Sequence, residues 1–345
     1  MNEQVIFFPP EPPYKKTRIW PVFLPFAGCP QRCIYCAQNL QTSSKPAPLS
    51  IHYQRLKESL DKAIKDKQPP LELAFFGGTF TALPNEWLNA FLKLGNYYRQ
   101  KGLITSIRCS TRPDFIDPPL LEQLRKSGLD MIELGIQSFS NNVLKASKRG
   151  YTQFQAHQAC RTVLDSELDL GIQLLPGLPQ HSPKKWIDDI QTTCSLHPQI
   201  VRIYPCLLLK GTPLAKTWFE GSYHPWSLHL TIKGLSRGIL KLWRQKIPVI
   251  RIGLHPEQEM LTNLLAGPWH PSLGLMVRSR ILFYILLTHS LIMGNAKKRL
   301  MLPEKYQGEI WGYKKNYLQR YKNIGIDPQN VQFWDRSYFM LQKLS

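Results

Sequence analysis

Cys29, Cys33 and Cys36 stand within eight residues, in the run Leu24-Pro-Phe-Ala-Gly-Cys-Pro-Gln-Arg-Cys-Ile-Tyr-Cys-Ala-Gln38. The C-x3-C-x2-C spacing offers three thiolates and no fourth. A cubane iron–sulfur cluster held by three cysteines keeps one iron open. Open metal positions are where reactions occur, whereas closed four-ligand sites are usually structural. A zinc site lacking a visible fourth ligand, or three packed core cysteines, are the alternatives. Gly28 before the triplet and Pro30 inside it are hard to reconcile with helix packing, which favours the cluster.

Thiols in such a loop need a scaffold to hold them. Runs rich in Val, Ile, Leu and Phe predict strands at Trp20–Phe26, Leu71–Phe76, Thr105–Ser110, Met131–Ile136, Asp169–Leu175 and Val201–Leu207. Most lack strict alternation, as expected of parallel strands covered on both faces. Between and after them lie predicted helices at Tyr53–Lys65, Asn85–Gln100, Leu120–Ser127, Gln153–Ser166, Pro183–Ser195 and Leu228–Gln245. Alternating units of this kind predict an α/β fold with a parallel sheet and right-handed crossovers. The cysteines, Gly77-Gly78-Thr79, Ser110-Thr111-Arg112, Gln137, Gln173 and Tyr204-Pro205 all fall at or near C-terminal strand ends. Strand ends share one mouth only in a barrel-like sheet, so about six β/α units forming a partial TIM barrel are expected.

The predicted organisation is an N-terminal tail over 1–17, a core over 18–250 and a small basic C-terminal domain over 251–345, α/β or helical. Leu275–Ser345 carries twelve Lys/Arg against four Asp/Glu, interleaved with Tyr306, Trp311, Tyr313, Tyr317, Tyr321, Phe333 and Trp334. The whole 345-residue chain has 44 basic and 24 acidic residues, a formal charge of +20 that favours polyanions, RNA first. Its 43% hydrophobic content argues against disorder. Cys109, Cys160, Cys194 and Cys206 are scattered through apolar stretches and form no disulfide framework. The start lacks a signal-peptide h-region. The most apolar run, Ile281–Leu287, is seven residues long, against the ~20 needed to cross a bilayer. A cytoplasmic protein with no membrane partner is expected, where thiols stay reduced.

The cysteine triplet, Phe75-Phe-Gly-Gly-Thr-Phe-Thr81, Ile132-Glu-Leu-Gly-Ile-Gln-Ser-Phe139 and Gly171-Ile-Gln-Leu-Leu-Pro-Gly-Leu-Pro179 together resemble the radical S-adenosylmethionine superfamily. Ser110-Thr-Arg-Pro-Asp114 and Val201-Arg-Ile-Tyr-Pro-Cys-Leu-Leu-Leu-Lys-Gly-Thr212 are similar to the catalytic subunit of Elongator. The same core resembles oxygen-independent coproporphyrinogen oxidases. The resemblance spans Arg18 to Gln245. It implies a [4Fe-4S] cluster on Cys29, Cys33 and Cys36, with S-adenosylmethionine on the open iron. One electron, from a donor such as ferredoxin or flavodoxin, then releases a 5′-deoxyadenosyl radical that takes a hydrogen atom from substrate.

It further implies cofactor contacts. Gly77, Gly78 and Thr79 match the glycine motif that approaches the methionine amino group. Tyr35 matches an aromatic packed near the adenine, and Gln137 and Arg149 match cofactor-contacting residues of the oxidases, Arg149 facing the methionine carboxylate. Ser110 and Gln173 stand where related enzymes carry carboxylates. A hydroxyl and an amide there would bind ribose more weakly.

Three functions follow from the sequence. The first is a radical enzyme acting on RNA, tRNA above all, since aromatics stack bases while Lys/Arg hold phosphates. The second is radical chemistry on a small molecule such as a tetrapyrrole. The third is a non-enzymatic iron–sulfur RNA-binding protein, which would leave the glycine and glutamine features unexplained. His270, in Gly267-Pro-Trp-His-Pro271, reads as a turn residue.

Overall fold

The computed structural model describes residues 3–15, 17–41 and 46–344. They form two compact units. The larger comprises Tyr14–Trp226 and Val249–Trp269. Its frame is a seven-stranded sheet in sequential order: β1 (Ile19–Leu24), β2 (Leu71–Gly77), β3 (Ile104–Thr111), β4 (Met131–Gln137), β5 (Asp169–Leu174), β6 (Ile200–Ile203) and β7 (Val249–Ile252). Every neighbouring pair is parallel. β1 and β7 lie at opposite ends of the strand order, so the barrel is partial. A sequential all-parallel sheet needs a crossover at each step, and helices Leu49–Lys65, Asn85–Gln100, Pro118–Lys126, Gln153–Leu164 and Pro183–Leu196 supply most of them.

The helix starts follow their side-chain chemistry. Asp117, Ser182 and Thr212 each accept a hydrogen bond from the backbone N–H three residues on, and each precedes a proline at the first helical position. Thr152 and Gln155 form a reciprocal capping box.

Strand alternation sorts side chains to the two faces of the sheet. Phe75 meets Phe91 of helix Asn85–Gln100 edge-on at 5.4 Å, so the odd-numbered residues of β2 and β3 face the helices. Glu72, Phe76, Arg108 and Ser110 therefore face the inside of the curve.

The predicted strands agree with the observed ones to within a few residues, with one addition and one shortening. β7 was not expected; its four residues are all half-buried and follow Pro248. The expected strand Val201–Leu207 stops at Ile203. Leu208–Leu209 instead pairs antiparallel with Leu264–Ala266.

The second unit comprises Met1–Pro13, Ser227–Pro248 and His270–Ser345, a division by contacts that differs from the expected boundaries in three places. Part of the supposed tail, Gln4–Phe7, is a strand paired antiparallel with Phe339–Lys343. Helix Leu228–Arg244 groups here and not with the larger unit. Val249–Trp269 leaves the expected C-terminal domain to complete the core. The unit is α/β, with a four-stranded sheet ordered Gln4–Phe7, Phe339–Lys343, Lys298–Pro303, Ile326–Trp334.

Helix Leu273–Ile292 is 20 residues long and apolar enough, by length and composition, to cross a membrane, which the seven-residue run had not suggested. It presents Leu282, Phe283 and Leu286 to the unit's core. Arg278 on the same helix forks onto Glu11 at 2.7 and 2.8 Å and pairs with Glu309.

Candidate active site

The cysteine loop grows out of the C-terminal end of β1, and its shape is fixed by close backbone approach to the end of β2. Ala27 N–H bonds Leu24 O, Cys29 N–H bonds Phe26 O, and Thr79 N–H bonds Ala27 O at 2.7 Å. Gln38 closes the loop from its far side. Its carbonyl accepts from Phe26 N–H, and its amide donates to Gly77 O, both at 2.6 Å. The sequence alone did not single out Gln38; its position two residues after the last cysteine was the available signal.

Two glycines make this approach possible. A Cβ on Gly78 would stand 1.9 Å from Ala27 O and 2.6 Å from Ala27 N. Gly28 combines a φ of +71° with a Cβ position 2.3 Å from Thr79 O. Gly78→Ala is expected to push the cysteine loop off β2 and lower iron per chain several-fold after anaerobic reconstitution, with an overpacking penalty of about 1–3 kcal/mol. Gly308→Ala is the control, because nothing lies within 4 Å of its Cβ position. Wild-type iron content and thermal midpoint in Gly78→Ala would contradict this account.

Cys33 is buried, and Cys29 and Cys36 are half-buried. Thr79 Oγ1 lies 3.3 Å from Cys29 Sγ. Arg149 Nη1 donates to Cys33 Sγ at 3.0 Å and to Tyr35 Oη at 3.3 Å. Burial, then the neighbouring Cys33 and Cys29, pushes the Cys36 thiol up to about 12. Three thiols crowded this way give up their protons to a cationic centre, and metal binding supplies one. Among the described residues no three His, Cys, Asp or Glu side chains converge as a single metal ion requires. Three thiolate donors suit a cubane, which seats each cysteine on a different iron and leaves the fourth iron open.

Gly78, Thr79 and Ser110 lie close together around a small, tightly packed space at the ends of β2 and β3, shared with Ala27, Phe75 and Phe76. Gln137 ends β4 in a left-handed conformation, φ 68°. Gln173 points inward from β5, and its amide donates to Ser110 Oγ at 3.0 Å and Glu133 Oε2 at 3.1 Å. Tyr35 belongs to an apolar cluster with Leu178 and Cys206, and burial holds its phenol well above the usual range.

Arg112 and Tyr151 join the site without having been singled out. Tyr151 accepts from Arg149 Nε at 2.8 Å and donates to the Gly135 and Ile136 carbonyls. Below these lies an ionic layer on the inner face. Glu133 Oε1 is 3.2 Å from Arg108 and its Oε2 is 2.9 Å from Arg202, while Glu72 is 3.4 Å from Arg108. His270 is a turn residue: its Nδ1 accepts from Ser272 N–H at 2.9 Å.

Comparison with known proteins agrees with this geometry. Residues 23–192 match the Radical SAM superfamily and residues 198–282 the Radical_SAM C-terminal domain. The two matches together span most of the chain, which belongs to the radical S-adenosylmethionine superfamily. It is therefore an enzyme of a family that uses a [4Fe-4S] cluster and S-adenosylmethionine.

Among curated proteins it is similar to the tRNA uridine(34) acetyltransferase of Methanocaldococcus infernus, 29% identical over 63% of this chain and 48% of that one. It is also similar to Elongator complex protein 3 of Saccharomyces cerevisiae, 26% identical over 53% of this chain and 35% of that one. The chain thus spans about half the length, or less, of these relatives. The solved archaeal Methanocaldococcus infernus Elp3 with an N-terminal deletion shares the fold, with a TM-score of 0.59 and 22% identity over 80% of this chain and 64% of that one.

Proposed function

We propose that this radical S-adenosylmethionine enzyme acts on RNA, tRNA in the first instance, in the cytoplasm, and draws its electron from a low-potential donor such as ferredoxin or flavodoxin. The cluster, when bound, supplies the electron that cleaves the sulfonium cofactor. The chain's own residues hold that cofactor: Gly77, Gly78 and Thr79 at its methionine end, Ser110 and Gln173 at its ribose, Gln137 and Tyr35 beside them.

The observation that carries RNA as substrate is a basic rim beside the cysteine loop. Arg32, Lys145 and Lys148 are all exposed. Gln31 donates to Lys148 O at 3.3 Å and Ile34 N–H to Ser147 O at 3.4 Å, so the two basic segments adjoin. Backbone phosphates seated there would deliver a nucleoside to the mouth. The names of the curated relatives support tRNA.

Most of the C-terminal aromatics do not support it; only Tyr313 and Trp334 of the seven are half-buried outside the core cluster. Tyr306, Tyr317 and Tyr321 are buried core residues, and Trp311 and Phe333 pack against them. They fill the second unit and are not offered to bases. The argument therefore rests on charge.

Filter binding of tRNA over a salt series tests the reading. Wild-type affinity should fall steeply with salt, and the double variant Arg32→Glu, Lys148→Glu should flatten the log–log slope by about two. No tRNA binding at low salt would remove RNA as the substrate.

A further inference from the structure

We propose that Arg149 sets the reduction potential of the cluster held by Cys29, Cys33 and Cys36, and that Asp114 restrains a second guanidinium, Arg112, at the same sulfur. The resemblance to oxidases implied that Arg149 faces the cofactor's carboxylate. Its bonds point elsewhere. Besides Cys33 Sγ and Tyr35 Oη, it donates to Tyr151 Oη at 2.8 Å and Gly135 O at 2.6 Å. Four of the five N–H groups of a guanidinium are thereby used. All of these partners except the cysteine are neutral oxygens, so the positive charge is directed at the sulfur. Only 5% of Arg149 is exposed, and water screens little of that charge.

Arg112 approaches Cys33 Sγ as well, with Nη1 at 3.9 Å. Its situation differs, because Asp114 grips it with two bonds, at 2.9 and 2.6 Å. A carboxylate that close cancels most of the field a guanidinium exerts further away. One ligand sulfur thus faces one uncompensated cation and one compensated cation.

Reduction adds one electron, taken from a low-potential donor, and makes the cluster with its thiolates one unit more negative. No bond is made or broken in the protein. A fixed cation that hydrogen-bonds a ligand sulfur favours the more negative state and raises the potential. Arg149 eases electron entry in this way, while the Asp114–Arg112 pair prevents the cluster from becoming too easily reduced to act as a strong reductant. None of this depends on what the substrate is.

The test is a dithionite titration of the reconstituted holoprotein followed by electron paramagnetic resonance. Arg149→Gln is expected to lower the equilibrium constant for reduction about tenfold, about 59 mV for one electron. Arg149→Lys should stay nearer wild type. Asp114→Asn, which frees the Arg112 charge, should move the potential the other way, and a merely structural role predicts no such opposition of sign. If Arg149→Gln retains no cluster, the signs of the other two variants decide. An unshifted or raised potential in Arg149→Gln overturns the proposal. So does a lowered one in Asp114→Asn, or a loss of S-adenosylmethionine affinity alone.

Discussion

Alanine at any one of Cys29, Cys33 or Cys36 is expected to abolish the brown chromophore of the reconstituted protein, and with it all release of 5′-deoxyadenosine above background. Three ligands is already the minimum that leaves one iron open for the cofactor. Among the described residues Cys109, Cys160, Cys194 and Cys206 are buried and in no disulfide, scattered over other elements, and Cys206 lies within an apolar cluster, so they are poorly placed to replace a lost ligand. Cys160→Ala is the control. It removes a thiol from helix Gln153–Leu164, and its expected effect is a modest loss of stability with the cluster retained. Iron and acid-labile sulfide per chain, measured beside nucleoside release, check both halves. Wild-type iron in a Cys33→Ala protein would refute the ligand set.

The frame of the larger unit was legible because its inner strands bury most of both faces, which turns the majority of them into dense apolar runs that little else imitates. What escaped depends on partners distant in sequence. Gln4–Phe7 becomes a strand only by pairing with Phe339–Lys343 at the other end of the chain. β7 is four half-buried residues whose one neighbour in the sheet is β6. The C-terminal aromatics looked like a nucleic-acid surface because alternation with Lys and Arg reads the same whether the rings point out or in. Burial decides that, and Tyr321 is 0% exposed.

In the site, the cysteines and the Gly77–Thr79 turn announced themselves by local spacing. Arg112 did not, although its run had been noticed, because its role is a contact with Cys33 that strand order alone creates.

The inner ionic layer was the most informative feature left unread, and it carries the second large expectation. Glu72, Glu133 and Arg202 each interrupt an otherwise apolar strand, Arg108 sits between Ile107 and Cys109 of β3, and all four face inward. Glu133 is 0% exposed and lies between two guanidiniums. Arg108 is equally buried, and its 3.2 and 3.4 Å contacts are ionic, lacking the alignment of hydrogen bonds. Both arginines also lie over Phe76, Arg202 at 4.7 Å and Arg108 at 5.7 Å.

Glu133→Ala would leave Arg108 with Glu72 alone and strip Arg202 of its carboxylate, two positive charges facing one another in a site closed to water. Removing one partner of a buried pair costs about 3–5 kcal/mol. In a unit of this size that lowers the thermal midpoint by on the order of 10 °C. Glu133 also receives the Gln173 amide, so the loss should reach Ser110 and weaken S-adenosylmethionine binding. The double variant Glu133→Leu, Arg202→Leu, which removes charge in equal and opposite amounts, should recover part of the stability without the cofactor affinity. Thermal unfolding of the apoprotein, set beside cofactor binding to the holoprotein, separates the two effects. A shift in Glu133→Ala worth less than about 1 kcal/mol would mean that water reaches this layer and the charges are not held in a dry interior.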